Sequence, residues 1–108
     1  MNKIYSVAYS SEAKDDLMSI YSYIAFELKM SDTAEKQINR IREKIRALNL
    51  MPARYSPVKW EPWKSMGMHC MPVDNFIVYY LVDENNSMVT VVRIFYGGRN
   101  VENIIKNI

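Results

Sequence analysis

The sequence has very little of the side chains that build disulfides and metal sites. It contains one cysteine, Cys70, and one histidine, His69. A single cysteine excludes an internal disulfide framework, and one cysteine with one histidine cannot form a zinc site. Long apolar runs are also lacking, and residues 1–9 contain one lysine without an apolar stretch, so neither a membrane span nor a signal peptide is predicted. We therefore expect a cytoplasmic protein that needs no metal or other cofactor.

An excess of charge of one sign is also lacking. The 14 Lys and Arg residues nearly balance the 12 Asp and Glu residues, which leaves a formal net charge of +2. A mildly basic chain can contact nucleic acid, but this charge does not require such a partner. With 108 residues and a mass of 12.7 kDa, the chain is predicted to form a single domain over residues 1–108.

Hydrophobic periodicity predicts a strand at residues 4–9 followed by two helices. Ser10 or Ser11 can cap the first helix, and Asp32 with Glu35 resembles a capping box that begins the second, which Pro52 ends. A short link at residues 29–31 makes the pair a helical hairpin. The apolar positions are Ala13, Leu17, Ile20, Tyr21, Ile24 and Leu28 in the first helix, and Ala34, Ile38, Ile41, Ile45 and Leu48 in the second.

The second half of the chain predicts a loop and three strands. The loop at 51–67 combines prolines with aromatic and basic residues, and the strands are expected at 68–73, 76–82 and 88–96. Short turns between consecutive strands make them antiparallel. The predicted fold class is α+β, with an N-terminal strand, a helical hairpin and a three-strand antiparallel meander. The hairpin is expected to cover one face of the sheet and to leave the other face for function.

Two arginines lie at the end of the last predicted strand. Arg93 lies within its apolar run, and Arg99 follows the Gly97-Gly98 pair that ends the strand. Two guanidinium groups at one strand end are suited to a phosphate or a carboxylate. As a structural alternative, Arg93 pairs with a carboxylate within the chain, such as Glu102 or Asp74.

Four segments, in the right order, resemble the RelE/ParE superfamily of bacterial type II toxin-antitoxin toxins, also known as plasmid stabilisation proteins. The resemblance covers nearly the whole chain. The segments are residues 9–17 and 20–24 (YSSEAKDDL and IYSYI), 51–58 (MPARYSPV), 71–80 (MPVDNFIVYY) and 92–100 (VRIFYGGRN). The chain departs from the family pattern where His69 stands at a position that is often arginine, and where Tyr96 precedes the final glycines in place of a histidine.

The resemblance implies a toxin that binds a cognate antitoxin, with one of two targets. RelE-like members enter the ribosome and cut mRNA, whereas ParE-like members poison DNA gyrase, and fold alone does not distinguish them. We favour a ribosome-dependent, metal-independent mRNA endonuclease. The alternatives are a gyrase inhibitor and a degenerate member that only binds its antitoxin.

RNA cleavage needs a base, an acid and cations around one phosphate. For these roles we predict Arg93 as the phosphate clamp, Arg54 or Arg99 as a second cation, His69 as base or acid, and Tyr96 or Lys64 as the other proton carrier. Structural alternatives are a strand histidine that bonds a backbone carbonyl, a Tyr96 ring that only caps the core, and tryptophans that cover the core edge. The predicted RNA-binding residues are Arg54, Lys59, Lys64, Trp60 and Trp63.

Overall fold

A computed structural model describes residues 3–107. Its elements alternate much as the sequence predicts, with additional short helices in the second half. In chain order they are β1 (Ser6–Tyr9), α1 (Ser11–Ser22), a π-helical turn (Tyr23–Glu27), α2 (Ser31–Arg46), 3₁₀ turns (Ala47–Asn49 and Pro52–Arg54), α3 (Trp63–Met66), β2 (His69–Val73), β3 (Phe76–Asp83), β4 (Met88–Tyr96) and α4 (Val101–Lys106).

The helical hairpin is confirmed, with one change at the start of its second helix. The Ser10 side chain accepts a hydrogen bond from the Ala13 N–H at 3.0 Å, as expected of a cap for α1. Helix α2 begins earlier than the predicted Asp32 capping box, and its N-cap is Met30, without a side-chain cap. The capping-box prediction is therefore wrong. The tight turn, in which Lys29 has a φ of 55°, already directs the chain into the helix.

The sheet has four strands in the order β1-β4-β3-β2. Strands β2, β3 and β4 form the predicted antiparallel meander, and β1 lies parallel to β4, from Ser6 beside Met88 to Tyr9 beside Val91. The α+β prediction is confirmed, and the sheet is mixed because the hairpin connects β1 to a parallel neighbour. A bulge at Tyr79/Tyr80 shifts the register between β3 and β4.

Both faces of the sheet are covered by hydrophobic residues. On one face, the hairpin contributes Leu17, Ile41 and Ile45 to a core that includes Tyr80 and Val91. The second core contains these residues from the loop, the sheet and α4: Val58, Trp63, Met68, Tyr79, Phe95 and Val101. The expectation that one sheet face is left for function is therefore wrong.

Helix α4 explains part of this second core, and it was not predicted. Its first turn is capped by the Asn100 side chain, which accepts a hydrogen bond from the Asn103 N–H at 3.2 Å. With 6 residues, the helix is too short to show a helical period in the sequence. Within residues 3–107, no helix is long and apolar enough to cross a bilayer.

Candidate functional site

Helix α1 runs beside the end of β4, where β1 has already stopped. Two side chains of this region take over the hydrogen bonds that a neighbouring strand would make. The Ser10 hydroxyl donates to the Val92 carbonyl at 2.7 Å, and the Ile94 N–H donates to the Asp16 carboxylate at 2.9 Å. The end of β4 is thus held by helix side chains, which positions the residues that follow.

Arg93 is bound by the same Asp16 carboxylate. Its Nε and Nη2 atoms donate to Oδ2 and Oδ1 of Asp16 at 2.8 and 3.1 Å, which makes a bidentate pair. The hydrogen bond from Asp16 raises the pKa of the Arg93 guanidinium, and burial opposes this effect. Arg93 thus has a carboxylate partner, but not Glu102 or Asp74, which pair with Lys106 and Arg40.

Arg99 differs from Arg93, although both guanidinium groups approach the same ring. The Cζ atoms of Arg93 and Arg99 lie 4.4 and 5.5 Å from the centroid of the Phe95 ring, in the range of cation–π contacts. Arg99 is exposed, and no carboxylate of residues 3–107 forms a salt bridge with it. Arg99 is therefore a cation held beside the Phe95 ring, and its N–H donors are accessible to a binding partner.

Tyr96 is the other exposed side chain at this strand end. The residue is 53% exposed, and its ring meets the Phe76 ring edge to face, with centroids 5.9 Å apart. A Cβ atom at Gly98 would lie 2.7 Å from the Tyr96 ring. The glycine therefore permits the ring to lie against the backbone of the turn, where it faces solvent on its other side.

A groove opens beside these residues, between the β4 end and the tip of the hairpin. We call it the strand-end groove; its volume is about 770 Å³. Its lining is mostly apolar, and Asp16 and Arg99 are its charged members. Its exposed apolar side chains are Tyr23, Leu28, Met30 and Tyr96, and its exposed polar side chains are Ser19, Thr33, Asn75 and Arg99.

His69 lies away from this groove. It pairs with Tyr80 across β2 and β3, whereas Arg93 pairs with Tyr79. Because neighbouring residues of a strand point to opposite faces, His69 and Arg93 lie on opposite faces of the sheet. The Nδ1 of His69 donates to the Tyr55 carbonyl at 3.0 Å, and its ring stacks on Tyr80 with centroids 5.4 Å apart. The histidine thus makes the backbone contact of the structural alternative.

The predicted RNA-binding residues lie on the loop that covers the second core. Trp63 is 5% exposed and stacks on Trp60, with ring centroids 5.0 Å apart. Arg54 donates to the Leu50 carbonyl at 2.6 Å, while Lys59 and Lys64 are exposed. The buried Trp63 ring has no free face for a base, and the RNA-binding role of the set stays a prediction.

A second groove lies on the other side of α1, along the seam with α2 and beside β1. We call it the hairpin groove; it consists of two adjoining depressions of about 440 and 550 Å³. Leu17 contributes to its apolar floor, and Lys14 and Arg42 line both depressions. Burial raises the pKa of Tyr9 beside this groove, and the positive charges of Arg42 and Arg46 oppose the shift. The charged lining residues are Lys14, Arg42 and Arg46 together with Glu35, so the groove is apolar at its floor and mainly cationic at its rim.

Most of the chain matches one known protein family. Residues 7–101 match the family described as ParE toxin of type II toxin-antitoxin system, parDE. The chain belongs to the ParE toxin family. This ParE-family toxin is thus a toxin of a type II toxin-antitoxin system within the RelE/ParE superfamily, as its motifs suggested. No curated protein sequence matches it significantly.

Solved structures share the fold of this ParE-family toxin. The chromosomal ParDE system from P. aeruginosa gives a TM-score of 0.72 at 18% identity, over 87% of this chain and 97% of that chain. A RelBE2 toxin-antitoxin complex from Mycobacterium tuberculosis gives 0.64 at 18% identity, over 86% and 91%. An archaeal RelE–RelB complex from Pyrococcus horikoshii OT3 gives 0.62 at 16% identity, over 89% and 98%. At these identities the likeness concerns the fold.

Two residues of the site in this ParE-family toxin, Asp16 and Tyr23, were not predicted from the sequence. Asp16 precedes the buried Leu17 and lies three positions after the buried Ala13, so a helical projection would have placed it near the sheet. Tyr23 is a large aromatic residue outside the predicted apolar stripe of the first helix, and its position in the sequence already indicated a second apolar surface, which is the strand-end groove. Within residues 3–107, no three His, Cys, Asp or Glu side chains are arranged to hold a metal ion.

Proposed function

We propose that this toxin arrests growth by binding and inhibiting DNA gyrase, and that it does not cleave RNA. The observation that carries the proposal is the separation of the candidate catalytic groups. His69 and Arg93 lie on opposite faces of the sheet, and the Nε and Nη2 donors of Arg93 are already bound to the Asp16 carboxylate. An RNA endonuclease needs a base, an acid and a cation around one phosphate, whereas an inhibitor that acts by binding needs only a complementary surface.

Membership of the ParE toxin family also supports gyrase inhibition over RNA cleavage. The chain matches the ParE toxins, and gyrase inhibition is the activity that the resemblance implied for ParE-like members. The endonuclease favoured from the sequence would have to use Tyr96 and Arg99 without a nearby histidine. His69 is the only histidine in the sequence, and its Nδ1 already bonds the Tyr55 carbonyl.

Two parallel assays separate these activities. Purified toxin is added to gyrase with plasmid DNA, and also to a translating extract whose mRNA ends are mapped by primer extension. We expect loss of supercoiling or trapped gyrase cleavage, no new mRNA ends, and near wild-type gyrase inhibition by folded His69→Ala.

Ribosome-dependent cuts that disappear in His69→Ala or Tyr96→Phe would overturn the proposal and establish the endonuclease. A true base or acid would be recognised by a rate loss of roughly two to four orders of magnitude. A chain that neither inhibits gyrase nor cuts mRNA but still binds antitoxin would be the degenerate member.

The antitoxin partner is proposed to occupy the hairpin groove. The apolar floor with Leu17 and the cationic rim with Lys14 and Arg42 are complementary to an amphipathic helix with acidic side chains. Strand β1 lies at the sheet edge, where the N–H of Ser6 donates to the Ser87 carbonyl just before β4 and the N–H of Ser10, directly after β1, donates to the Val91 carbonyl. The N–H of Val7 therefore points outward, where an extended continuation of the same segment can pair. The matched RelBE2 and RelE–RelB structures are toxin-antitoxin complexes, which supports such a partner.

Calorimetry with the antitoxin encoded beside the toxin gene tests this surface. We expect Arg42→Glu to weaken binding by about tenfold or more and added salt to weaken the wild type, because opposite charges face each other across the interface. Lys36→Glu is the matched control, since Lys36 is exposed on α2 but does not line the groove. Equal losses in both variants would contradict the location, and no binding at low salt would contradict the partner.

A further inference from the structure

The strand-end groove shares no lining residue with the hairpin groove, although both border α1. Lys14 and Leu17 face the hairpin groove, whereas Asp16 and Ile20 face the strand-end groove. An antitoxin helix seated in the hairpin groove therefore does not account for this second surface. The α1 segment also changes to a π-helical turn beside the strand-end groove, a local irregularity that recurs at functional sites.

The exposed apolar side chains in this groove form a patch of the kind that marks a protein interaction surface. Tyr23, Leu28, Met30 and Tyr96 line it, and their exposed fractions are 59%, 48%, 49% and 53%. Four large apolar side chains gathered at one groove are more than the single exposed residues that a monomer surface normally carries. Burying them against apolar side chains is favourable in proportion to the area removed from water.

The charged residues of the strand-end groove indicate which charge its occupant carries. Asp16 is neutralised by Arg93, so its carboxylate is already satisfied. Arg99 has no salt-bridge partner among residues 3–107 and lies beside Phe95 at the end of the groove. Nucleic acid is normally bound through several Lys or Arg side chains on its phosphates. One open guanidinium beside an apolar floor is instead complementary to a protein segment with apolar side chains and a carboxylate.

We propose that the strand-end groove is the surface through which the toxin engages its target protein, and that its occupant is an apolar segment of that protein with a carboxylate placed against Arg99. The proposal rests on the proposed function, in which the toxin acts by binding a protein. It separates the two partners on the toxin surface, with the antitoxin in the hairpin groove and the target in the strand-end groove.

The test compares growth arrest with antitoxin binding. Arg99→Glu reverses the open charge, and Leu28→Ser removes exposed apolar area. We expect each folded variant to lose growth arrest, to weaken gyrase binding by about tenfold or more, and to keep antitoxin affinity within about twofold. Arg99→Lys keeps the charge and should restore part of the binding. Lys36→Glu and Met66→Ser are matched controls, because both residues are exposed and line neither groove.

The readouts distinguish this inference from the proposed function. If groove variants abolish growth arrest while wild-type toxin has no effect on gyrase, the gyrase proposal fails and the groove remains the target surface. Folded groove variants that bind antitoxin and still arrest growth at wild-type expression would overturn the inference. Fluorescence anisotropy with single-stranded RNA adds a further outcome: loss of RNA binding in Arg99→Glu with unchanged protein binding would also overturn it.

Discussion

Two ion pairs fasten the helical hairpin to the sheet, and they differ in burial. The pair of Arg93 with Asp16 joins α1 to β4, and its side chains are 23% and 14% exposed. The pair of Arg40 with Asp74 joins α2 to the turn before β3, with 53% and 42% exposure. Exposed pairs contribute little to stability, whereas removing one partner of a sheltered pair leaves a charge without solvent or counter-charge.

The carboxylates of the two pairs also hold different groups. Asp16 accepts two guanidinium donors and the Ile94 N–H, so it completes the backbone bonding of the sheet. Asp74 accepts side-chain donors from Arg40 and Gln37 at 2.7 and 2.9 Å. Short N–O distances in a salt bridge therefore say little about its contribution to stability until the burial and the other hydrogen bonds of each partner are known.

The largest effect is expected for Asp16→Ala. The change leaves the Arg93 guanidinium and the Ile94 N–H without their acceptor in a sheltered site, so we expect a loss of about 3 kcal/mol in the free energy of unfolding. Urea denaturation of the purified protein measures it. The Asp15→Ala variant is the control, because Asp15 is exposed on the same helix. Equal stability of the two variants would show that the sheltered carboxylate of Asp16 contributes no more than the exposed carboxylate of Asp15.

A smaller loss is expected for Arg93→Ala. Asp16 keeps the Ile94 N–H and gains access to water, so we expect a loss of about 1–2 kcal/mol. This prediction also concerns function, because the sequence suggested that Arg93 serves the target and not the fold. Thermal unfolding together with growth arrest at equal folded protein separates these roles. A variant with unchanged stability and no toxicity would return Arg93 to the target surface.

The exposed pair should give a weaker, pH-dependent effect. Hydrogen bonds from Arg40 and Gln37 lower the pKa of Asp74 in the folded protein. A lowered folded-state pKa stabilises the protein above the ordinary Asp pKa of about 3.9, and this contribution disappears as the pH falls through the lowered value. The melting-temperature difference between wild type and Asp74→Asn should therefore be small at pH 7 and decrease further as the pH falls below about 3.9. Asparagine also tolerates the left-handed backbone at this position, where φ is 54°. A difference that grows on acidification would contradict the assignment.

The smallest effect on stability is expected for Arg99→Ala. Its guanidinium is exposed and unpaired within residues 3–107, so we expect a change of less than about 0.5 kcal/mol in the free energy of unfolding, together with reduced growth arrest. Denaturation and a growth assay on the same protein preparation test both parts. A strong loss of stability would show that Arg99 belongs with Arg93 as a residue of the fold.

Much of the architecture could be predicted from the sequence because it depends on neighbours along the chain. The apolar spacing in residues 13–28 and 34–48 indicates the hairpin, since positions three and four apart share a helix face. Alternating and β-branched residues indicate the three strands, and four ordered motifs indicate the family. Helix α4 escaped because 6 residues carry too little periodicity.

The candidate site could not be predicted in the same way, because its contacts join distant parts of the chain. Asp16 and Arg93 are separated by 77 positions, and either could have had another partner. Arg93 pairs with Tyr79 and His69 pairs with Tyr80. Because these partners are neighbours in β3, Arg93 and His69 lie on opposite faces of the sheet. Local sterics and apolar periodicity were enough to predict the hairpin and the three-strand meander, and the ordered motifs were enough to indicate the family. Which arginine is bound within the protein and which faces a groove required the tertiary structure, since it depends on which side chains the packed elements bring together.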